Sequence, residues 1–144
     1  MFKTPSCITL NGMSQSGKTT FLYKLLRRRD ELFSPPPTKI LFAYGAWQEI
    51  FHHMEKTLPI EFVEGLPTKE KLDEFAETGV SKLIVLDDLM DRVICSSDMQ
   101  NLYSRGCHHS NITVVFISQN IFAQGKASRS IALNTQYMVL FKNP

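Results

Sequence analysis

Residues 12 to 19 read Gly12-Met13-Ser14-Gln15-Ser16-Gly17-Lys18-Thr19, and the apolar run Ile8-Thr9-Leu10 stands before them. Residue types and spacing match GxxxxGK[ST], a loop that cradles phosphate when it joins a strand to a helix. Backbone N–H groups of such a turn converge on phosphate oxygens, and the following helix presents its positive N-terminus to them. Gly12 and Gly17 allow close backbone approach and unusual dihedrals. Lys18 is expected to reach the β- and γ-phosphates as a point charge, and the Thr19 hydroxyl to bind the magnesium ion that bridges them. Ser14, Gln15, Ser16 and Thr20 complete the stretch expected to hold the nucleotide with its Mg2+.

Such a loop needs a carboxylate to organise magnesium, expected at the C-terminal end of a neighbouring buried strand. Lys82-Leu83-Ile84-Val85-Leu86-Asp87-Asp88 has that form. Asp87 is expected to hold the metal, directly or through water. Asp88, one residue on, is expected to point to the other side of the strand end and to polarise an attacking water. Asp91 is a lesser alternative for either role, and the adjacent acids also suit a loop cap or turn. The strand-like Val114-Val115-Phe116-Ile117 ends in Ser118-Gln119-Asn120, where Gln119 is placed to sense a γ-phosphate. Arg105 and Arg129 are both candidates for an arginine finger, and spacing does not choose between them. His52-His53 and Cys107-His108-His109 do not make a metal site, since adjacent histidines point apart and no second cluster has matching spacing.

The elements that must position these residues follow from periodicity. Ser6 to Asn11 is a strand, Thr19 to Leu32 a helix through Phe21, Leu22, Leu25 and Leu26, and Arg27-Arg28-Arg29 a solvated helix end favoured by the dipole. Ser34-Pro35-Pro36-Pro37 breaks the pattern. Lys39 to Tyr44 is a strand, Trp47 to Glu55 a helix, Ile60 to Val63 a strand, and a helix runs from Thr68 towards Gly79. Thr68-x-x-Lys71 lacks the acidic half of a capping box. Lys82 to Leu86, Ile112 to Ile117 and Tyr137 to Phe141 are further strands, with a helix over Asp98 to Cys107. Strands alternating with helices imply parallel pairing with right-handed crossovers. The fold class expected is α/β, a P-loop NTPase three-layer sandwich with a mainly parallel central sheet.

The 144 residues make one domain, 1–144, with 43% apolar residues for a core and 21% charged residues to solvate it. A formal charge of +2 is too small to argue for nucleic acid by electrostatics alone. Three separated cysteines suggest neither a disulfide framework nor a zinc site, and imply a reducing, intracellular setting. No apolar run reaches membrane-span length and the N-terminus lacks a signal-peptide layout, so a soluble protein is expected. The chain stops directly after a strand-like run, which suggests a C-terminally shortened or compact form of a larger fold.

The phosphate loop, Leu83 to Leu89 with its double aspartate, and Phe116-Ile117-Ser118-Gln119-Asn120 together resemble the FtsK/HerA superfamily of DNA-pumping ATPases. His108-His109-Ser110-Asn111-Ile112, Asn120-Ile121-Phe122 with Gly125-Lys126, and Ser130-Ile131-Ala132-Leu133-Asn134 leading to Phe141-Lys142-Asn143-Pro144 resemble genome-packaging ATPases of large DNA viruses and Polinton/Maverick elements. The resemblance implies ATP hydrolysis coupled to moving double-stranded DNA into a capsid. It implies a homo-oligomeric ring, commonly a hexamer, with capsid or portal partners, at the virion assembly site inside the host. It assigns the sensor to Gln119, the base to Asp88 and the trans-acting arginine to Arg129 or Arg105. Aspartate stands at 88 where many members carry glutamate, which shortens the base by about one carbon–carbon bond. Two other classes compete: a small-molecule or nucleoside kinase, disfavoured because Ser118 to Ala127 offers only Lys126 where a lid needs several arginines, and a nucleotide-gated module without turnover.

Overall fold

Residues 82–87, Lys-Leu-Ile-Val-Leu-Asp, are buried along their whole length, a pattern that requires a strand covered on both faces. In the computed structural model, which describes residues 2–13, 17–77, 79–89, 111–119 and 135–141, this strand lies inside a parallel sheet. The elements in chain order are β1 (Phe2–Lys3), β2 (Cys7–Asn11), α1 (Lys18–Arg27), α2 (Arg29–Leu32), β3 (Phe33–Ser34) and β4 (Lys39–Tyr44). They continue with α3 (Ile50–Thr57), β5 (Ile60–Glu64), α4 (Lys69–Ala76), β6 (Lys82–Asp87), β7 (Ile112–Ser118) and β8 (Tyr137–Leu140). Six strands form one sheet in the order β5-β4-β6-β7-β2-β8, with every described pair parallel. β1 and β3 pair separately.

Alternation along each strand sorts the core into two layers. Ile8, Leu10, Ile40, Phe42, Leu83, Val85, Val115 and Ile117 face Leu22 and Leu26 of α1 and Phe51 and Met54 of α3. Cys7, Leu41, Ala43, Ile84, Leu86, Val114 and Phe116 face the other way, where Leu72 of α4 packs. The sheet therefore lies between helices, in the three-layer α/β arrangement expected from the sequence. Each fully buried aliphatic or aromatic side chain contributes about 1.5–3 kcal/mol of transfer free energy.

Several boundaries differ from the periodic reading. The helix expected over Thr19 to Leu32 stops at Arg27, because Arg28 (φ −110°, ψ 28°) leaves helical geometry and its N–H bonds back to the Leu25 carbonyl. The arginine run is then used locally: Arg27 lies 5.6 Å over the Tyr23 ring, Arg28 pairs with Glu31 at 2.8 Å, and Arg29 donates to the Leu26 carbonyl at 3.1 Å. The helix expected from Trp47 starts at Ile50, since Trp47 is drawn into ring contacts with Tyr44, Phe51 and Phe62. The helix after Thr68 ends at Ala76, short of Gly79, and Thr68 caps it alone by accepting from the Lys71 N–H at 3.1 Å. The helix expected over Asp98 to Cys107 lies outside the described residues.

Candidate functional site

Register brings the C-terminal strand ends to one edge. Asn11 of β2 stands opposite Ser118 of β7, and Asp87 of β6 opposite both Ile117 of β7 and Tyr44 of β4. Beyond those ends the loops are stitched together by backbone hydrogen bonds. Gly12 N–H donates to the Ser118 carbonyl at 3.1 Å, Asp88 N–H to Ile117 at 3.0 Å, and Gly45 N–H to Asp87 at 3.2 Å. The phosphate loop, the acidic tip, the end of β7 and the β4–α3 loop thus share one rim. β7 lies between β2 and β6, which places Gln119 between the loop strand and the acidic strand.

A cleft of about 570 Å³ opens at this rim, lined by Gly17, Lys18, Thr19 and Thr20, by Gln48, Glu49 and Ile50, by Asp87 and Asp88, and by Ile117, Ser118 and Gln119. Of the residues singled out in the sequence, Gly17, Lys18, Thr19, Thr20, Asp87, Asp88 and Gln119 come together here. Gly12 and Met13 adjoin through Lys18, whose ammonium donates to both of their carbonyls. Ser14, Gln15, Ser16, Asp91, Arg105 and Arg129 lie outside the described residues, as do Asn120 and the motifs between 120 and 134.

Local backbone chemistry explains the geometry. Gly17 sits at φ 93° immediately before α1, a left-handed conformation that glycine adopts without a Cβ penalty. Its N-capping carbonyl accepts from the Phe21 N–H at 2.9 Å. Asp88 also has positive φ, 57°, a region in which aspartate is enriched. Strand alternation ends there. Asp88 lines the same cleft as Asp87.

The two acids differ in environment. Asp87 is 5% exposed, and its carboxyl is pushed up to about 6, first by burial, then by the Asp88 charge, against the pull of Lys18. Asp88 is exposed. Burial pushes the Lys18 ammonium below its ordinary value, while Asp87 and Asp88 hold it up. Its charge is thus electrostatically coupled to both acids across the cleft.

The donor set fits a nucleotide with a hard divalent cation. The Thr19 hydroxyl and the Asp87 carboxylate offer oxygen ligands, the kind magnesium takes together with phosphate oxygens and water. Lys18 and the N-terminus of α1 supply positive potential on the same wall.

Gln48 escaped the sequence reading. Its Nε2 donates to Asp87 Oδ2 at 3.2 Å, and it lines the cleft with Glu49 from the β4–α3 loop. Trp47-Gln48-Glu49 read as the start of a helix, and nothing in that pattern signalled a loop at the rim.

No protein-family model matches this chain, and no curated protein does. Among the described residues no helix is long and apolar enough to cross a membrane. Solved structures share its fold. The cytoplasmic domain of EssC superposes with a TM-score of 0.65 at 13% identity, covering 96% of this chain and 31% of that one. Flagellar accessory protein FlaH from Methanocaldococcus jannaschii gives 0.59 at 9% identity, covering 96% and 72%. C. elegans PCH-2 gives 0.54 at 16% identity, covering 96% and 35%. The chain thus spans about a third of the EssC and PCH-2 chains. With a parallel six-stranded sheet between helices and a GxxxxGK[ST] loop at its C-terminal edge, this chain has the P-loop NTPase fold.

Proposed function

We propose that this chain is an ATP-hydrolysing motor domain that translocates double-stranded DNA, in the manner of FtsK/HerA-type genome-packaging ATPases. The observation that carries the hydrolytic part is the meeting of Lys18, Thr19, Asp87, Asp88 and Gln119 at one cleft, from three strand ends that are distant in sequence. The DNA-pumping part rests on the motif resemblance.

In this reading the loop N–H groups and Lys18 bind the β- and γ-phosphates. Thr19 and Asp87 would hold magnesium, which when bound supplies charge neutralisation between those phosphates. Asp88, exposed and beside them, takes the proton of the attacking water. Gln119 orients that water or the γ-phosphate by hydrogen bonding. The developing equatorial charge then calls for an arginine, Arg105 or Arg129, from a neighbouring copy in a homo-oligomeric ring.

The test is ATP turnover by the chain with and without duplex DNA, beside mass measurement with nucleotide bound. Turnover stimulated by duplex DNA in a ring-forming species is the expected result. Phosphoryl transfer to an added small acceptor would instead make it a kinase, and nucleotide binding without turnover would make it a gated module.

A further inference from the structure

Gln48 belongs to neither the phosphate loop nor the acidic strand, yet it is tied to the buried acid of the site. We propose that Gln48 is a positioning residue that holds the Asp87 carboxylate in the orientation needed to receive magnesium. This deepens the proposed nucleotide-site reading and rests on it.

The side chain is exposed, and ordering an exposed glutamine costs rotamer entropy. The loop around it is built to offset that cost. Trp47 packs edge-on against Phe51 at 5.2 Å, Phe62 at 5.4 Å and Tyr44 at 5.4 Å between ring centroids, and its Nε1 donates to His52 Nε2 at 3.3 Å. The Gln48 carbonyl accepts from the Phe51 N–H at 3.0 Å, which fixes residue 48 to the first turn of α3. On the other side of the loop, Gly45 N–H donates to the Asp87 carbonyl at 3.2 Å.

Asp87 is therefore gripped twice by the β4–α3 loop, through its backbone by Gly45 and through its Oδ2 by Gln48. A carboxylate accepts hydrogen bonds only, so the amide must present its NH2. With Oδ2 engaged, the plane of the carboxylate is set before any cation arrives. Outer partners of this kind orient ligating carboxylates, and removing one costs about 10–100-fold in metal affinity.

The experiment uses the full chain, a fluorescent ATP analogue as probe, and titration with MgCl2 beside an EDTA arm. Gln48→Met keeps the side-chain length and removes the donor, and Gln48→Ala is run in parallel. Because residue 48 is exposed, both should melt within a degree or two of the parent. If the methionine variant melts early, the alanine variant decides. The expected result is a roughly 10-fold rise in the Mg2+ concentration giving half-maximal analogue binding, with binding in EDTA unchanged. An unchanged Mg2+ midpoint overturns the proposal, and so does an equal loss of binding in EDTA, which would mean that Gln48 only shapes the cleft. Failure of the parent chain to bind the analogue at all is a different outcome, and it removes the nucleotide-site reading together with this one.

Discussion

Asp87 and Asp88 are consecutive residues that face one cleft from different environments: Asp87 closes β6 and is 5% exposed, while Asp88 steps out of the strand at φ 57° into solvent. Two carboxylates so placed have different tasks open to them. The buried one suits a fixed ligand, and the exposed one suits exchange of protons with water.

Lys18→Ala should abolish nucleotide binding, whereas Asp88→Asn should keep binding and lower turnover by about 10²–10⁴-fold. Asparagine tolerates the left-handed backbone at 88, so the substitution leaves the turn in place. Paired binding and turnover assays check this. Equal loss of binding in both variants would contradict the separation of roles.

The Asp87 carboxyl, pushed up to about 6, makes a prediction for the ligand-free protein. Between about pH 4, where the unfolded carboxyl titrates, and about pH 6, the native state binds more protons than the unfolded chain, so stability falls as pH rises through that window. Above it the buried charge costs about 2–3 kcal/mol, at about 1.4 kcal/mol per pKa unit. Asp87→Asn should therefore raise the ligand-free Tm at pH 8 and raise it much less at pH 4.5. Thermal melts at the two pH values check the sign.

How much of this was legible beforehand depends on the length scale. The buried strands over 39–44, 82–87 and 112–118 announce themselves as apolar runs, and the phosphate loop by four spaced residues, because both are local patterns. Strand order is not local, so the place of β7 between β2 and β6 is not readable from periodicity. The break at Arg28 was masked by leucines that keep helical spacing across it. The left-handed turn at Asp88 lies one residue past the strand, where alternation no longer guides the reading. Gln48 was invisible because its importance comes from a partner 39 positions away.

Gly17→Ala separates conformation from space. A Cβ at Gly17 would meet nothing within 4 Å, but φ is +93°. The expected cost is therefore backbone strain alone, about 1–2 kcal/mol, seen as a lower Tm with weakened nucleotide binding as the loop relaxes. A neutral substitution in both measurements would contradict the left-handed turn.

Phe51 is fully buried and contacts the rings of Phe42, Tyr44, Trp47 and Phe62. Phe51→Ala should cost about 3–5 kcal/mol. Trp47 is the single tryptophan of the chain, so its fluorescence reports the same event. Its emission should shift to the red as the cluster loosens, with chemical denaturation measuring the lost stability.

The central claim is that one nucleotide is held jointly by the loop at Lys18 and the acidic tip at Asp87. The most direct measurement is a crystal structure with a non-hydrolysable ATP analogue and magnesium. The account predicts the γ-phosphate within hydrogen-bonding distance of Lys18 Nζ and the cation between Thr19 and Asp87. A triphosphate bound elsewhere, or a cation held without either residue, would contradict it.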